Sequence, residues 1–190
     1  MKRKFILLII TLSNFSLFSQ TLCLTEYEAS LYKHVNELRL SKGLSSIQIS
    51  RNLTIVAQTH AKDLSSNHPQ TAKCNMHSWS NKGKWKSCCY TDDHKRAESM
   101  WNKPRELTNY KGNGYEIAFY TSDLSLKADD FAKEALKSWL NSPGHSIVIL
   151  NKGMWKNTHW NAIGVGVWEG YAVIWFGEDA DNEIKPETCN

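Results

Sequence analysis

Two glycines on one face of an apolar run constrain this chain more than any other feature. Ala162-Ile163-Gly164-Val165-Gly166-Val167-Trp168 and Tyr171-Ala172-Val173-Ile174-Trp175-Phe176 are rich in β-branched and aromatic residues, and Glu169-Gly170 stands between them. Two such runs joined by two residues read as a β-hairpin. Gly164 and Gly166 share a strand face, and the side chains they lack leave room for close approach by a packed helix or another backbone.

Upstream, three segments carry helical periods. From Thr25 to Lys42, Leu31, Val35 and Leu38 follow one, with Thr25 as a cap and Gly43 as the stop. Leu53, Val56, Ala57, His60, Ala61 and Leu64 form a second, running to Ser65-Ser66-Asn67. Phe131, Ala135 and Trp139 mark a third over Lys127 to Asn141. Pro143 disfavours helical geometry at Ser142, so this helix stops near Asn141. Ser142 is then placed to cap a short helix with Pro143 at its first position and His145 in its first turn. The stretch from Pro69 to Gly114 shows no sustained period and reads as loop or short elements. Helices first, strands interspersed and a terminal hairpin point to an α+β sandwich.

Met1 to Gln20 opens with Lys2-Arg3-Lys4 and continues with the apolar run Phe5 to Ile10. That is the form of a secretory signal peptide, and the run is too short to span a bilayer. Thr21-Leu22 before Cys23 lacks the small residues of a lipoprotein signal. The expectation is a leader over 1–20 and one domain over 21–190, soluble and secreted to an extracellular or periplasmic space. Loss of the leader takes three of the 23 basic residues and none of the 19 acidic ones, leaving a net charge of +1. No Lys/Arg stripe with interleaved aromatics remains to favour nucleic acid.

All five cysteines lie beyond the leader: Cys23, Cys74, Cys88, Cys89 and Cys189. In an oxidising compartment most should pair. Cys74 with Cys88 or Cys89 closes a short loop, Cys23 with Cys189 ties the two ends, and one thiol is left over. A vicinal Cys88–Cys89 bridge ranks last.

Ser142-Pro143-Gly144-His145 after a Trp-bearing helix resembles the CAP superfamily, which includes cysteine-rich secretory proteins, venom allergens and pathogenesis-related proteins. The form is nearest the bacterial branch. Asn36-Glu37-Leu38-Arg39, Gly43-Leu44 and His60-Ala61 fit the same pattern, and the resemblance runs over roughly 25–176. It implies an α-β-α sandwich with a central, mainly antiparallel sheet, and a cleft holding two histidines and two acids. The matching positions are His77 in Cys74-Asn75-Met76-His77-Ser78, Glu116 in Gly114-Tyr115-Glu116-Ile117, and His145. The second acid, two residues before the helix tryptophan in many relatives, falls on Lys137, whose charge beside two imidazoles would disfavour a cation.

In a metal reading, His77 and His145 are zinc ligands and Glu116 is a third ligand or a base on bound water. In a metal-free reading, Glu116 orients a histidine and no cofactor is required. No Gly-x-Ser-x-Gly, no His-Glu-x-x-His and no catalytic cysteine context supplies a nucleophile. His60, beside core positions, reads as structural, and Cys88-Cys89-Tyr90-Thr91-Asp92-Asp93-His94 as loop decoration. Asp130, Glu134, Lys137 and Asn141 form a stripe that is usually solvated, although Glu134 would replace the missing acid if that face lined the cleft. Trp79, Trp85 and Trp101, if exposed, would make an apolar groove. The expected role is a secreted, non-catalytic binding module for a lipid or protein partner. The enzyme alternative is a metal-dependent hydrolase or protease using the His/Glu cleft.

Overall fold

The structure, a computed structural model, describes residues 22–190, so the expected leader lies outside the described residues. The elements run in the order β1 (Cys23–Leu24), α1 (Glu26–Ser41), α2 (Arg51–Asn67), α3 (Ala97–Trp101), α4 (Lys103–Leu107) and β2 (Tyr115–Tyr120). Then follow α5 (Ala128–Asn141), α6 (Pro143–Ile149), β3 (Ala162–Trp168), β4 (Tyr171–Gly177) and β5 (Glu187–Thr188). Strands β2, β4 and β3 form an antiparallel sheet in that order, and β1 pairs with β5 in a separate parallel ribbon. Glu169 (φ 45°) and Gly170 (φ 83°) are both left-handed, as a two-residue turn matching the strand twist requires.

The register sorts the sheet into two apolar faces. Ile163, Val165, Ala172, Ile174 and Phe176 join residues of α1, α5 and α6 in one cluster. Ala162, Val173 and Trp175 join Leu53, Val56, Ala57, Ala61 and Leu64 of α2 in the other. The architecture is the expected α-β-α sandwich. On the second face, Gly164 and Gly166 let α2 lie directly against β3. A Cβ on Gly164 would sit 2.0 Å from the carbonyl carbon of Leu53, and one on Gly166 would sit 2.2 Å from that of Ala57. Of the two approaches left open in the sequence, the packed helix is the one realised.

Each helix start follows its local chemistry. Thr25 accepts the Glu28 N–H at 3.3 Å while the Glu28 carboxylate accepts the Thr25 N–H at 2.8 Å, a reciprocal cap. Ser50 caps α2 through the Leu53 N–H. Ser142 differs from expectation. It has extended backbone and its carbonyl begins α6, but its hydroxyl caps nothing. With Pro143 lacking an N–H, one donor needing a cap is already gone.

Asn36 and Arg39 anchor α1 to its surroundings. The Asn36 amide exchanges two hydrogen bonds with the Ile47 backbone. Arg39 donates to the Ile149 carbonyl at 2.6 Å and to Asn151 Oδ1 at 2.7 Å, fixing the end of α6. Trp139 donates from its indole to the Ala118 carbonyl and so ties α5 to the edge strand β2. Disulfides join Cys23 to Cys189 and Cys74 to Cys89, and Cys88 is the buried free thiol among the described residues.

Gly164→Ala and Gly166→Ala should each destabilise the protein by about 3 kcal/mol or more, because the new methyl meets rigid helix backbone. Urea unfolding with both variants within about 0.5 kcal/mol of the parent would show that α2 does not rest on β3 in this way.

Candidate functional site

Four elements bring the site together. Glu116 lies on β2, opposite Trp175 of β4, on the sheet face that receives α2. His60 projects from α2 at the position that meets it. His77 follows the disulfide-tethered Cys74, and its backbone N–H is held by Asn75 Oδ1. His145 sits in the first turn of α6.

Glu116 has a side chain with no solvent exposure, and each of its oxygens accepts from an imidazole. His60 Nδ1 lies 2.5 Å from Oε2 and His77 Nδ1 lies 2.8 Å from Oε1. Burial pushes the Glu116 carboxyl up. The charge and hydrogen bond of His60, followed by those of His77, more than offset this and bring it down to about 2. The carboxylate is therefore ionised.

His60 Nε2 lies 3.0 Å from the Ser78 carbonyl, which can only accept. Both His60 nitrogens face acceptors and both donate, so the ring is an imidazolium paired with Glu116. It stacks flat on Trp79, with centroids 4.1 Å apart and planes 6° from parallel. His77 donates its Nδ1–H to Glu116 in a hydrogen bond and turns its Nε2 away from the carboxylate. That nitrogen has no hydrogen-bond partner among the described residues and is not a buried orphan. The His145 ring centroid is 6.1 Å from that of His77. Burial, then the neighbouring His77, push His145 down to about 4 against the pull of Glu116, leaving it neutral at physiological pH.

Above this floor opens a cleft of about 340 Å³, walled largely by Met100, Trp101, Tyr115, Ile147, Met154 and Trp155. Tyr115 packs edge-on against Trp101 at 5.4 Å and Trp155 at 4.7 Å. Among the described residues, no Lys, Arg, Ser, Thr or Cys side chain lines the cleft.

His77, Glu116 and His145 thus share one cleft. Lys137 does not join them: it is exposed on α5 and lines no part of the cleft. At about 100° per residue it stands roughly opposite the buried Ala135 and Trp139. Glu134 is exposed as well, so the polar stripe of α5 is a solvated face. Trp79 does not form an exposed groove either. It is buried beneath His60, and only Trp101 of the three irregular-segment tryptophans reaches the cleft. The Cys88–His94 stretch is only partly spent on structure: Cys89 is in a disulfide and Asp92 accepts from Asn75, whereas Tyr90 and His94, hydrogen-bonded to one another, line the cleft.

His60 is a buried structural residue, as its place beside core positions suggested, and it also supplies the partner of Glu116, a role the sequence reading did not give it. It occupies the apolar stripe of α2, and a histidine there requires buried partners, which is a signal visible beforehand. A three-ligand zinc site does not fit this geometry, because both Glu116 oxygens are committed to ring nitrogens. Among the described residues, no three His, Cys, Asp or Glu side chains are placed to hold a metal ion.

A three-layer α-β-α sandwich with a buried carboxylate between imidazoles defines a class, and the comparisons supply its family. The cysteine-rich secretory protein family (CAP) matches residues 32–170, and the chain belongs to that family. An extracellular protein with an SCP domain from Bacillus anthracis superposes with a TM-score of 0.55 at 19% identity, over 80% of this chain and 40% of that one. An outer surface protein of Borrelia burgdorferi gives 0.52 at 20% identity, over 80% and 92%. A cysteine-rich secretory protein of Staphylococcus aureus gives 0.50 at 20% identity, over 85% and 41%. The chain therefore spans less than half of the Bacillus and Staphylococcus proteins. At these identities the likeness is one of fold, and the bacterial sources agree with the bacterial form of the Ser-Pro-Gly-His turn. No individually curated protein matches the sequence significantly.

His60→Ala should cost about 3–5 kcal/mol by stranding a buried carboxylate, and more than His77→Ala, whose ring reaches solvent. The pH dependence follows from the two shifted groups. His145 is lowered from 6.5 to about 4, so its contribution is full above about pH 6.5 and is lost as pH falls toward 4. Glu116, lowered from 4.5 to about 2, contributes above about pH 4.5 and loses that contribution as pH falls toward 2. Urea unfolding at stepped pH should show His145→Asn flattening the first decline and leaving the second.

Proposed function

We propose that this protein is a secreted, non-catalytic binding module that takes a small apolar, lipid-like ligand into the cleft above His77 and His145. The observation that carries the reading is the composition of the cleft. Aromatic and methionine side chains wall it, and a few fixed polar groups stand at one end, the usual make-up of a small-molecule site. Its volume of about 340 Å³ suits a ligand of one or two rings or a short chain. Met100 and Met154 bring unbranched, adaptable side chains to the rim. Two disulfides fit an oxidising destination, in keeping with secretion.

The hydrolase or protease reading finds less support. It needs a nucleophile or an activated water, and among the described residues the cleft lining holds no hydroxyl or thiol nucleophile other than the Tyr90 and Tyr115 phenols. Glu116, the natural general base, is enclosed by two imidazoles.

The test is titration of the purified exported protein with N-phenyl-1-naphthylamine, an uncharged probe that fluoresces on entering apolar sites. Saturable binding is expected, with Trp155→Ala and Trp101→Ala each weakening it about tenfold, equivalent to about 1.4 kcal/mol. No binding, or binding indifferent to both substitutions in folded protein, would refute the cleft as a ligand site.

A further inference from the structure

Helix α3 and the residue before it serve two cavities. Ala97, Met100 and Trp101 line the cleft, whereas Arg96 and Ser99 line a second cavity of about 360 Å³. Trp79 and Cys88 pair backbone to backbone beside it, and the loop they close runs Ser80-Asn81-Lys82-Gly83-Lys84-Trp85-Lys86-Ser87. Both ends of that loop, Ser80 and Ser87, are part of the cavity wall.

The charge here is of one sign. Arg96 is the one charged side chain in the lining, and its exposed guanidinium has no ion pair or hydrogen bond among the described residues. Lys82, Lys84 and Lys86 are exposed on the loop, which carries no acid. The lysines in ion pairs among the described residues are Lys33, Lys95, Lys103 and Lys133, so the loop lysines are uncommitted. The acids that touch the loop are already engaged. Buried Asp63 accepts the N–H and hydroxyl of Ser80, and Glu106 accepts the Lys86 N–H and pairs with buried Lys103. Glu98, exposed on α3, lines no part of the cavity.

Neutral donors add to the cations. The hydroxyls of Ser87 and Ser99 have no partner among the described residues, and Trp79, also in the lining, has a buried indole N–H without one. Unpaired donors beside a free guanidinium, on a concave surface without carboxylates, call for an anion rich in acceptors.

We propose that this cavity is a second binding site, independent of the cleft, for a phosphate monoester on a small polar body such as a phosphorylated sugar, held by Arg96, Ser87 and Ser99 and drawn in by the three loop lysines.

A phosphate has enough oxygens to take the Arg96 fork and both hydroxyls together, which a carboxylate with two oxygens does less completely. The lysines, beyond the cavity wall, act through their field and favour a dianion. A membrane headgroup suits the site less well. None of the large apolar side chains that stand exposed among the described residues lies between 69 and 100, and the Trp85 indole is tied to the Ser80 carbonyl, so nothing here is free to enter a bilayer.

The test is calorimetric titration of the purified protein at pH 7.5, where the monoester is largely a dianion, with glucose 6-phosphate, glucose and inorganic phosphate. Glucose 6-phosphate should bind saturably and at least tenfold tighter than either of the others, and raising NaCl from about 50 to about 300 mM should weaken it several-fold. Arg96→Gln should weaken it at least tenfold while keeping the parent's urea midpoint, because Arg96 is exposed and unpartnered. Lys82→Gln, Lys84→Gln and Lys86→Gln together should weaken it less and flatten the salt dependence. In ¹H–¹⁵N spectra of the parent, glucose 6-phosphate should move the amides of Ser87 and Ser99. Glucose binding as well as its phosphate, inorganic phosphate binding equally tightly, or affinity unchanged in folded Arg96→Gln each overturns the proposal. So does capture by vesicles of phosphatidic acid and phosphatidylcholine without binding of glucose 6-phosphate, which would make the basic loop a membrane contact. None of these outcomes bears on the cleft, whose naphthylamine probe reads a different wall.

Discussion

The backbone-to-backbone contact of α2 with β3 is the constraint on which the rest depends. Without side chains at Gly164 and Gly166, the helix descends until its carbonyls occupy the space two Cβ atoms would have filled. That depth decides what a residue on the inner face of α2 can reach. Leu53, Val56, Ala57, Ala61 and Leu64 meet the sheet and seal the second core. His60, in the same stripe, meets Glu116 at hydrogen-bonding distance. A helix held a few ångströms further out would leave the carboxylate on β2 buried without its partner.

Burying an ion pair is costly, and this one is tolerated because nothing in it is left unpaired. Glu116 uses both oxygens, His60 uses both nitrogens, and the Ser78 carbonyl closes the chain. Trp79 stacks beneath the imidazolium, and Lys103, itself buried, stands 5.7 Å from the Trp79 ring. The network ends at His77, the one member that reaches solvent, with its Nδ1 held from behind by Glu116. The buried charge thus orients an otherwise ordinary surface imidazole.

Much of the fold was legible in the sequence because it rests on local chemistry. The hairpin with its Glu-Gly turn, the Thr25 cap and the three helical stripes all appear where their spacings place them. Strand β2 was not legible. Tyr115–Tyr120 is covered on both faces, so it lacks the alternation of a half-exposed strand, and it carries a glutamate in its midst. The site was legible where single residues mark it, at His77, Glu116 and His145, and illegible where it depends on pairing. The partner of His60 is 56 residues away on another element. Lys137 was placed by analogy with relatives, although its angle from Trp139 on the helix already sets it on the far side.

The division of labour within the cleft follows from which parts are rigid. Its floor is fixed by buried hydrogen bonds, a disulfide at Cys74 and the Arg39 clamp at the end of α6, so the two imidazoles are held in place before any ligand arrives. Its rim draws on short elements: α3 with Met100 and Trp101, and the 3-10 turn Gly153–Trp155. Met154 is 75% exposed there. A preorganised polar end with an adaptable apolar mouth is the arrangement that the proposed binding role calls for. Catalysis would need the reverse emphasis, with a reacting bond gripped on several sides beside a nucleophile.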